Sequence, residues 1–527
     1  MFCRTIVQLL VACSIPVVAF AQQAPELYTQ RCFGGSFVDQ GSEVMQLADG
    51  RILCLAYTSS SNGDPGPSLG NGDAWLLHCT PAGSIQEQWR FGGSQYDSGR
   101  AMVEMADGGV AIVGHSQSID GNVGQNQGGS DVWVLRLDAE GNVLWYHTFG
   151  GSGYELANAV CQTEDGGVLV VGETNSTNGD ILDPLGGLDA WVLCLSASGE
   201  LLWRHNFGGS LDDVGRSVVA TDDGGFVVGG ISLSTTGHVP GNQGGSDAWL
   251  FKLDADGEVL WHRTYGGSGD DGVRSMCSSE NGGFVCAGYT SSNNGNVSGF
   301  HGGFTDVWVF EVDAEGELLN QRCLGGSAGD DGKSILSVPS GGYAVAASTN
   351  STNGDVGQVN GSYDYWLVRL NNDFELVWET TFGGAGNESV SGLAVLTDGS
   401  YALYGSTSPS SNNTGDVSGY HGGPFDAWLV ITEPEAVSVA EHVGGEVLQL
   451  AYDQIGSALL IQNVEALSGM VTVAIHSATG ALMESQVAPG SPVGRSIRVD
   501  LAGLAPGQYV VTLTSQNGRR AGRFVRW

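Results

Sequence analysis

Seven carboxylates recur at one position of a repeated segment and are the first residues to consider for chemistry. Each stands five residues after the first glycine of a Gly-Gly pair, and the pairs begin at residues 34, 92, 150, 208, 266, 325 and 383. A ring of carboxylates could attract cations or bind sugar hydroxyls, or each could accept hydrogen bonds from backbone N–H groups of a nearby turn. The seven candidate ligand-binding residues are Asp39, Asp97, Glu155, Asp213, Asp271, Asp330 and Glu388.

A second set of oxygen side chains lies in the long loops of the same repeats. These loops contain triplets such as Asn-Gly-Asp and Asp-Gly-Asn, whose oxygens are of the type that binds Ca²⁺. Turn formation explains the same triplets, and the twelve-residue EF-hand pattern is absent. Calcium is therefore a possible metal and no other cofactor is expected; the candidate ligands are Asp64, Asp120, Asp180 and Asp355.

No known catalytic motif accompanies these carboxylates. The ten His residues are scattered, and HExxH, GxSxG and phosphate-loop motifs are absent. An Asp also opens the third apolar run of every repeat, from Asp73 to Asp426. Such repetition favours a structural bond, because an active site needs one special copy. We therefore expect that the protein is not an enzyme.

The glycine pairs are spaced by 58 residues, with one step of 59, and define seven repeats. Each repeat has four short apolar runs separated by Gly, Asn and Asp turns, as in "GRSVVATD", "GFVVGGIS", "DAWLFKLD" and "EVLWHRTYGG". A four-stranded sheet cannot bury both faces alone, so the sheets must stack around an axis. The pattern predicts an all-β protein with a seven-bladed β-propeller over residues 26–433. In the glycine pair and in "DADGEVLW" the repeats resemble kelch and pyrroloquinoline-quinone-like blades, which implies the fold and no activity.

The ends of the array predict a closed ring. The first copy opens with a fourth run, "LYTQRCFGG", whereas the last copy stops after its third run, "DAWLVITE". An N-terminal strand that completes the last blade would leave no open edge. The Trp of each third run is expected to pack between blades. The connections that carry the glycine pairs and the long loops fall on one face, called here the long-loop face, which is the candidate binding face.

The cysteines are expected to be mostly core residues. Eight follow residue 21, and none forms a CxxC pair. The exception is Cys277 with Cys286, which we expect to face each other across a hairpin turning at Asn281-Gly282, where a disulfide is possible.

The N-terminus has the pattern of a signal peptide over residues 1–21. An apolar run ends in Ala19-Phe20-Ala21, a small-x-small cleavage site, and a lipoprotein-type site at Cys13 is the alternative. No later segment has the roughly 20 apolar residues of a transmembrane helix. The formal net charge of -37 disfavours nucleic acid as a partner, because its phosphates would be repelled. We also expect the protein to be a monomer.

The C-terminal region has a different sequence pattern, in which the 58-residue repeat is absent. After a linker at 434–446, residues 447–527 show alternating runs that predict a small β-sandwich. The segments "VTVAIHSATG", "DLAGLAPGQYVVTL" and "GRFVRW" resemble the C-terminal sorting domain of the type IX secretion system of Bacteroidetes-group bacteria. The residues that carry the resemblance are Gly480, Leu504, Pro506, Gly507, Tyr509, Arg523, Phe524 and Val525. The resemblance implies the secretion machinery as a partner, and a secreted or outer-membrane surface-attached protein.

These observations favour a secreted or cell-surface propeller that binds a glycan or a surface protein on its long-loop face. Two alternatives remain open. One is a polysaccharide hydrolase or lyase that uses the acidic long-loop face, and the other is a structural or adhesive repeat protein.

Overall fold

The computed structural model describes residues 23–435 and, in the C-terminal region, residues 449–452, 458–462, 470–477, 482–489, 497–501, 504, 507–515 and 518–526. Two compact units are present, and Ala24–Glu435 forms the larger one. This unit is the predicted seven-bladed β-propeller. The predicted signal peptide, residues 1–21, and residues 436–446 of the predicted linker lie outside the described residues.

Each blade is an antiparallel sheet of four strands. After β1 (Leu27–Phe33), blades 1 to 3 contain β2 (Asp39–Gln46), β3 (Ile52–Thr58), β4 (Asp73–Cys79), β5 (Ile85–Phe91), β6 (Asp97–Glu104), β7 (Val110–Ser116), β8 (Asp131–Leu137), β9 (Val143–Phe149), β10 (Glu155–Gln162), β11 (Val168–Thr174), β12 (Asp189–Leu195) and β13 (Leu201–Phe207). Blades 4 to 6 contain β14 (Asp213–Ala220), β15 (Phe226–Ser232), β16 (Asp247–Leu253), β17 (Val259–Tyr265), β18 (Asp271–Ser278), β19 (Phe284–Thr290), β20 (Asp306–Val312), β21 (Leu318–Leu324), β22 (Asp330–Ser337), β23 (Tyr343–Thr349), β24 (Asp364–Leu370) and β25 (Leu376–Phe382). Blade 7 contains β26 (Glu388–Val395), β27 (Tyr401–Thr407), a 3-10 helix at Pro409–Ser411 and β28 (Asp426–Thr432).

Blade 7 is completed by the N-terminal strand. Its strand order is β1-β28-β27-β26, so the outermost strand comes from the other end of the propeller sequence. Strand β1 pairs antiparallel with β28, and Cys32 lies opposite Trp428. The predicted ring closure is therefore confirmed.

The Trp of each third strand packs between neighbouring blades. Trp249 of blade 4 shares a core cluster with Leu169 and Val192 of blade 3. All seven are at most 1% exposed, which confirms their predicted role in packing: Trp75, Trp133, Trp191, Trp249, Trp308, Trp366 and Trp428.

The expectation that Cys277 and Cys286 face each other across a hairpin is wrong, and both residues are free thiols. In the β18–β19 ladder, Cys277 lies opposite Val285 and Cys286 lies opposite Met276. The two thiols therefore point to opposite faces of the sheet and belong to different core clusters. The reason is that the connection between the strands has five residues, 279–283, and not a two-residue turn at Asn281-Gly282.

The C-terminal unit contains two β-sheets. Its strands are β29 (Gln449–Tyr452), β30 (Ala458–Gln462), β31 (Met470–Ser477), β32 (Leu482–Pro489), β33 (Ile497–Asp500), β34 (Gly507–Ser515) and β35 (Gly518–Arg526). One sheet has the order β29-β30-β33 and the other has the order β32-β31-β34-β35.

The residues that resemble the sorting domain fall partly within these strands. Leu504 and Tyr509 are buried, and Gly507 begins β34. The residues Arg523, Phe524 and Val525 lie in β35, whereas Gly480 and Pro506 lie outside the described residues. No helix in the described part of the chain is long and apolar enough to span a membrane.

Candidate functional site

Every innermost strand of the propeller carries a β-bulge at the same position. In β14, for example, the pairing with β15 passes from Gly215 to Ser217, so Arg216 has no partner across the ladder. A bulge locally disrupts the ladder and re-aims the side chain of the extra residue. The seven residues at this position, called here the bulge residues, are Ser42, Arg100, Asn158, Arg216, Arg274, Lys333 and Ser391.

All seven bulge residues line one central cavity of about 820 Å³. This volume lies within the range of ligand pockets, roughly 300–1,000 Å³. The same cavity is lined by Thr305, Gly329, Tyr363, Asn387 and Phe425, which belong to the connections of the long-loop face. The cavity therefore lies at that face, where the innermost strands begin.

The cavity concentrates positive charge in an acidic protein. The chain has a formal net charge of -37, and only thirteen Lys and Arg residues occur between residues 24 and 435. Four of these thirteen occupy bulge positions and line the cavity. Blades 7 and 1 carry serines there, so the cations form a one-sided group, called here the basic arc: Arg100, Arg216, Arg274 and Lys333.

One member of the arc, Arg216, has neighbours that hold it in place. The Arg216 guanidinium donates to Oδ1 of Asn158 at 3.2 Å and lies 3.6 Å from the Glu173 carboxylate. Burial lowers the pKa of Arg216; Glu173 opposes this shift, whereas the positive charges of Arg274 and Arg100 add to it. These cations are therefore close enough to repel one another, and a bound anion would relieve the repulsion.

One carboxylate, Asp331, is shared by two other members of the arc. It lies 3.5 Å from the guanidinium of Arg274 and contacts the ammonium of Lys333. Arg274 also lies over the ring of Tyr289 at 5.1 Å. Arg100 is exposed, and it makes no ion pair with any carboxylate in the described residues. The arc therefore keeps an excess of positive charge.

Aromatic rings form a stack beside Arg100. The Tyr57 and Tyr96 ring centroids are 4.9 Å apart, and Tyr96 stacks on His115 at 5.5 Å. Burial, with a smaller contribution from Tyr96, raises the pKa of Tyr57 to about 12. Burial and then Arg100 lower the pKa of His115 to about 4, so its imidazole is neutral at pH 7.

The seven predicted carboxylates lie at the first position of each innermost strand and are fully buried. Asp271 accepts hydrogen bonds from the Gly267 N–H at 2.7 Å, from the Ser292 hydroxyl at 2.7 Å and from the Thr290 hydroxyl. These contacts are of the kind expected if each carboxylate accepts hydrogen bonds from a nearby turn. A ligand role for the seven carboxylates remains a prediction. Of Asp39, Asp97, Glu155, Asp213, Asp271, Asp330 and Glu388, Glu388 is the one that also lines the cavity.

The predicted calcium ligands lie in four different blades and are not brought together. Asp64 and Asp180 accept hydrogen bonds from the N–H groups of Gly34 at 3.2 Å and Gly150 at 3.1 Å. Asp120 accepts one from the Ser94 N–H, and Asp355 accepts one from the Gly325 N–H. Across the described residues, no group of three or more His, Cys, Asp or Glu side chains is placed to hold a metal ion. Calcium binding remains a prediction.

Sequence reasoning did not find the basic arc. Its one signal was a column, eight residues after the first glycine of each pair, in which four copies have Arg or Lys and three have Ser or Asn. The glycines, the carboxylates and the third-run Trp recur in all copies, so they are stronger signals than this variable position.

No family model matches the chain, so comparison with known proteins assigns it to no family. A regulatory protein, FlaEY, from Caulobacter vibrioides is 25% identical over 431 residues, which are 74% of this chain and 43% of that protein. The chain thus spans less than half the length of this relative. Among solved structures, the WD40 domain of Neurospora crassa Pan2 has a TM-score of 0.39 at 12% identity, covering 74% of this chain and 88% of that one.

The prediction that the protein is not an enzyme has to be corrected. A gluconolactonase from Xanthomonas campestris is also among the similar structures, with a TM-score of 0.32 and 12% identity over 66% of this chain and 91% of that one. Enzymes are therefore among the structures similar to this chain, and the expectation of a non-enzymatic protein is withdrawn. At such low identity the likeness concerns the fold alone and gives this chain no reaction.

Proposed function

We propose that the propeller binds an anionic ligand in its central cavity. The observation that carries the proposal is the basic arc: four cations at one structural position of one cavity, in a chain whose net charge is -37. Guanidinium groups bind carboxylates, sulfates and phosphates through paired, charge-assisted hydrogen bonds. The function is therefore assigned to the cations that the bulges direct inward.

The surroundings of the arc support a ligand that is small or enters by one end. Exposed charges more than about 8–10 Å apart are screened at physiological salt, so the acidic outer surface affects the cavity weakly. A long polyanion lying across the propeller would meet that acidic surface directly. An anionic group that enters the cavity meets the arc instead.

Isothermal titration calorimetry of the purified full chain with citrate, at low salt, tests the proposal. We expect saturable binding with one citrate per chain. Arg100→Asn, which installs the residue that Asn158 places at the same position of blade 3, is expected to weaken binding about 10- to 100-fold, because a charge-assisted hydrogen bond is worth ~1.5–3 kcal/mol. Raising the salt concentration is expected to weaken it further.

The matched control is Arg263→Gln on the outer strand β17. Arg263 pairs with Glu317 at 3.3 Å and lies on the outermost strand of blade 4, three strands away from the bulge in β14. This change removes the same charge from the chain and is expected to leave citrate affinity unchanged. Equal losses in the two variants, or no citrate binding by the unmodified chain, would show that the arc is not an anion site.

We also propose that this binding takes place outside the cell. Residues 1–21 have a signal-peptide pattern, and residues 447–527 resemble a type IX sorting domain. In a host that has this secretion system, deletion of 447–527 is expected to leave the propeller in the periplasm. Surface display or release that continues unchanged after the deletion would contradict the assignment.

A further inference from the structure

The central cavity has a second side that differs in chemistry from the basic arc. In blades 7 and 1 the bulge residues are Ser391 and Ser42, and the exposed side chains of Gln40 and Ser389 line the cavity beside them. These hydroxyl and amide groups both donate and accept hydrogen bonds and carry no charge. They suit a ligand with many hydroxyl groups.

Aromatic side chains line the cavity at both borders between this neutral side and the basic arc. Tyr57 and Tyr96 line the cavity at blades 1 and 2, and Tyr363 and Phe425 line it at blades 6 and 7. All four side chains are half-buried, so part of each ring remains accessible to a ligand. An accessible ring offers a flat apolar surface, against which the C–H face of a sugar ring can pack.

We propose that the ligand is an acidic sugar at the end of an oligosaccharide. The proposal rests on the anion binding described above and names the class of that anion. The acid group pairs with the basic arc, the hydroxyls bind the Ser and Gln side chains of blades 7 and 1, and a sugar ring packs on the aromatic side chains. An inorganic anion would use the first of these contacts alone, and a neutral sugar would lack it.

The shape of the charge distribution favours a chain end over the middle of a polymer. The cations occupy bulge positions in blades 2, 4, 5 and 6 of one cavity, whereas the protein as a whole is strongly acidic. A polymer passing over the face would bring many acid groups near carboxylates and few near the arc. A terminal residue places one or two acid groups within the arc.

Calorimetric titration of the purified full chain with four probes tests this inference. The probes are trigalacturonate, the neutral trisaccharide cellotriose, a sulfated trisaccharide and citrate. We expect trigalacturonate or the sulfated sugar to bind at one per chain, at least tenfold more tightly than cellotriose and citrate. Preference for one of the two acidic sugars identifies the acid group as a carboxylate or a sulfate ester.

A paired variant separates this inference from the proposed function. Tyr363→Ser and Phe425→Ser install the residue that Ser130 and Ser246 place at the same position of blades 2 and 4. The double variant is expected to bind the preferred acidic sugar at least tenfold more weakly and to bind citrate as before. If the double variant unfolds, Phe425→Leu replaces it, because Leu188 occupies that position in blade 3.

The outcomes are distinct. If citrate binds through Arg100 but no acidic sugar binds better than cellotriose or citrate, the sugar assignment is overturned and anion binding stands. The same holds if the aromatic variants lose no sugar affinity. If neither citrate nor any acidic sugar binds, both proposals fail.

Discussion

The indole Nε1 of Trp428 donates a hydrogen bond to the Gln30 side chain at 2.8 Å, across 398 positions of sequence. The equivalent bond in blade 1 joins Trp75 to Gln88 at 2.8 Å, across 13 positions. One local contact of the blade is thus reproduced at the closure by a strand from the other end of the propeller. The N-terminal strand replaces a missing fourth strand and preserves its side-chain interactions.

The closure predicts that Gln30 and Gln88 contribute equally to stability. Gln30→Ala and Gln88→Ala are each expected to lower the free energy of unfolding by about 1–2 kcal/mol. Each removes the acceptor of a buried indole N–H and one further hydrogen bond, which Gln30 donates to Ser418 and Gln88 donates to the Asp64 carbonyl. Urea denaturation measures both. Deleting residues 24–33 is expected to cost more and to promote aggregation, because it exposes the edge of β28. A harmless Gln30→Ala beside a destabilising Gln88→Ala would contradict closure by β1.

A second prediction concerns a buried carboxylate between blades 4 and 5. Asp247 is fully buried; Oδ2 accepts from the Gln243 N–H at 2.6 Å, and Oδ1 has no hydrogen-bond partner in the described residues. Burial chiefly, and also the charge of Asp271, raises the pKa of Asp247 to about 7. Between about pH 4 and pH 7 the folded protein therefore keeps a proton on Asp247, whereas the unfolded chain, in which the pKa of Asp is near 3.9, releases it.

This difference in pKa between the folded and the unfolded states makes the stability fall as the pH rises. The stabilisation from the bound proton is lost as the pH rises from about 4 through 7. Asp247→Asn keeps the acceptor for Gln243 and removes the charge, so it is expected to raise the free energy of unfolding by about 2 kcal/mol at pH 8. Below about pH 4 the gain disappears, because both the folded and the unfolded states are then protonated at this position. Urea denaturation at both pH values measures the effect, and exposed Asp222→Asn is the control; a destabilised variant at pH 8 would show that the charged carboxylate is needed.

His421 provides an opposite pH dependence at the junction of blades 7 and 1. Its Nδ1 lies 3.0 Å from Asp426 and its Nε2 lies 3.3 Å from Asp64 of blade 1. The hydrogen bond to Asp426, and then the charge of Asp64, raise the pKa of His421 against the opposing effects of burial and Arg31. The protonated imidazole therefore bridges two carboxylates of neighbouring blades.

The matched replacement for His421 is glutamine. In blade 2 the corresponding residue, Gln127, donates to Asp180 of blade 3 at 2.6 Å without carrying a charge. The contribution of His421 is full below the unfolded pKa of about 6.5 and is lost as the pH rises through the higher folded value. His421→Gln is expected to retain the contact and to flatten the change in Tm between pH 6 and 8.5. Because His421 is partly exposed, the effect is below about 1 kcal/mol; equal pH slopes in the two proteins would argue against the bridge.

A fourth prediction concerns the thiols. Burial raises the pKa of Cys277 to about 12 and raises the pKa of Cys286 well above its usual value. Neither forms a thiolate at pH 8, so the folded protein is expected to leave both unmodified by a thiol reagent. After unfolding without reductant, both are expected to react, and peptide mass spectrometry checks each site. A Cys277–Cys286 disulfide in the unreduced protein would contradict the observed register.

The sequence predicted the features that recur in every repeat, and it failed where a local irregularity decides the geometry. The period of 58, the Trp of the third strand and the run order were enough for the blade number and the closure. The side-chain direction at Arg100 or Arg216 was not predictable, because a bulge at that residue breaks the alternation on which strand patterns depend. The Cys277–Cys286 error has a similar origin, since a loop of five residues shifts the register that a two-residue turn would give.

The last prediction concerns the carboxylate that competes with the ligand. Asp331 contacts Lys333 and lies 3.5 Å from Arg274, so it neutralises part of the basic arc when the cavity is empty. Asp331→Asn removes this competing charge and preserves the size of the side chain. It is expected to tighten citrate binding several-fold, whereas Arg100→Asn weakens it, because the first change adds to the positive potential of the cavity and the second subtracts from it. Glu317→Gln, which removes a negative charge beside Arg263 on the outer surface, is the matched control and is expected to leave affinity unchanged. Weaker citrate binding in Asp331→Asn would mean that Asp331 positions Arg274 and Lys333 for the anion and does not compete with it.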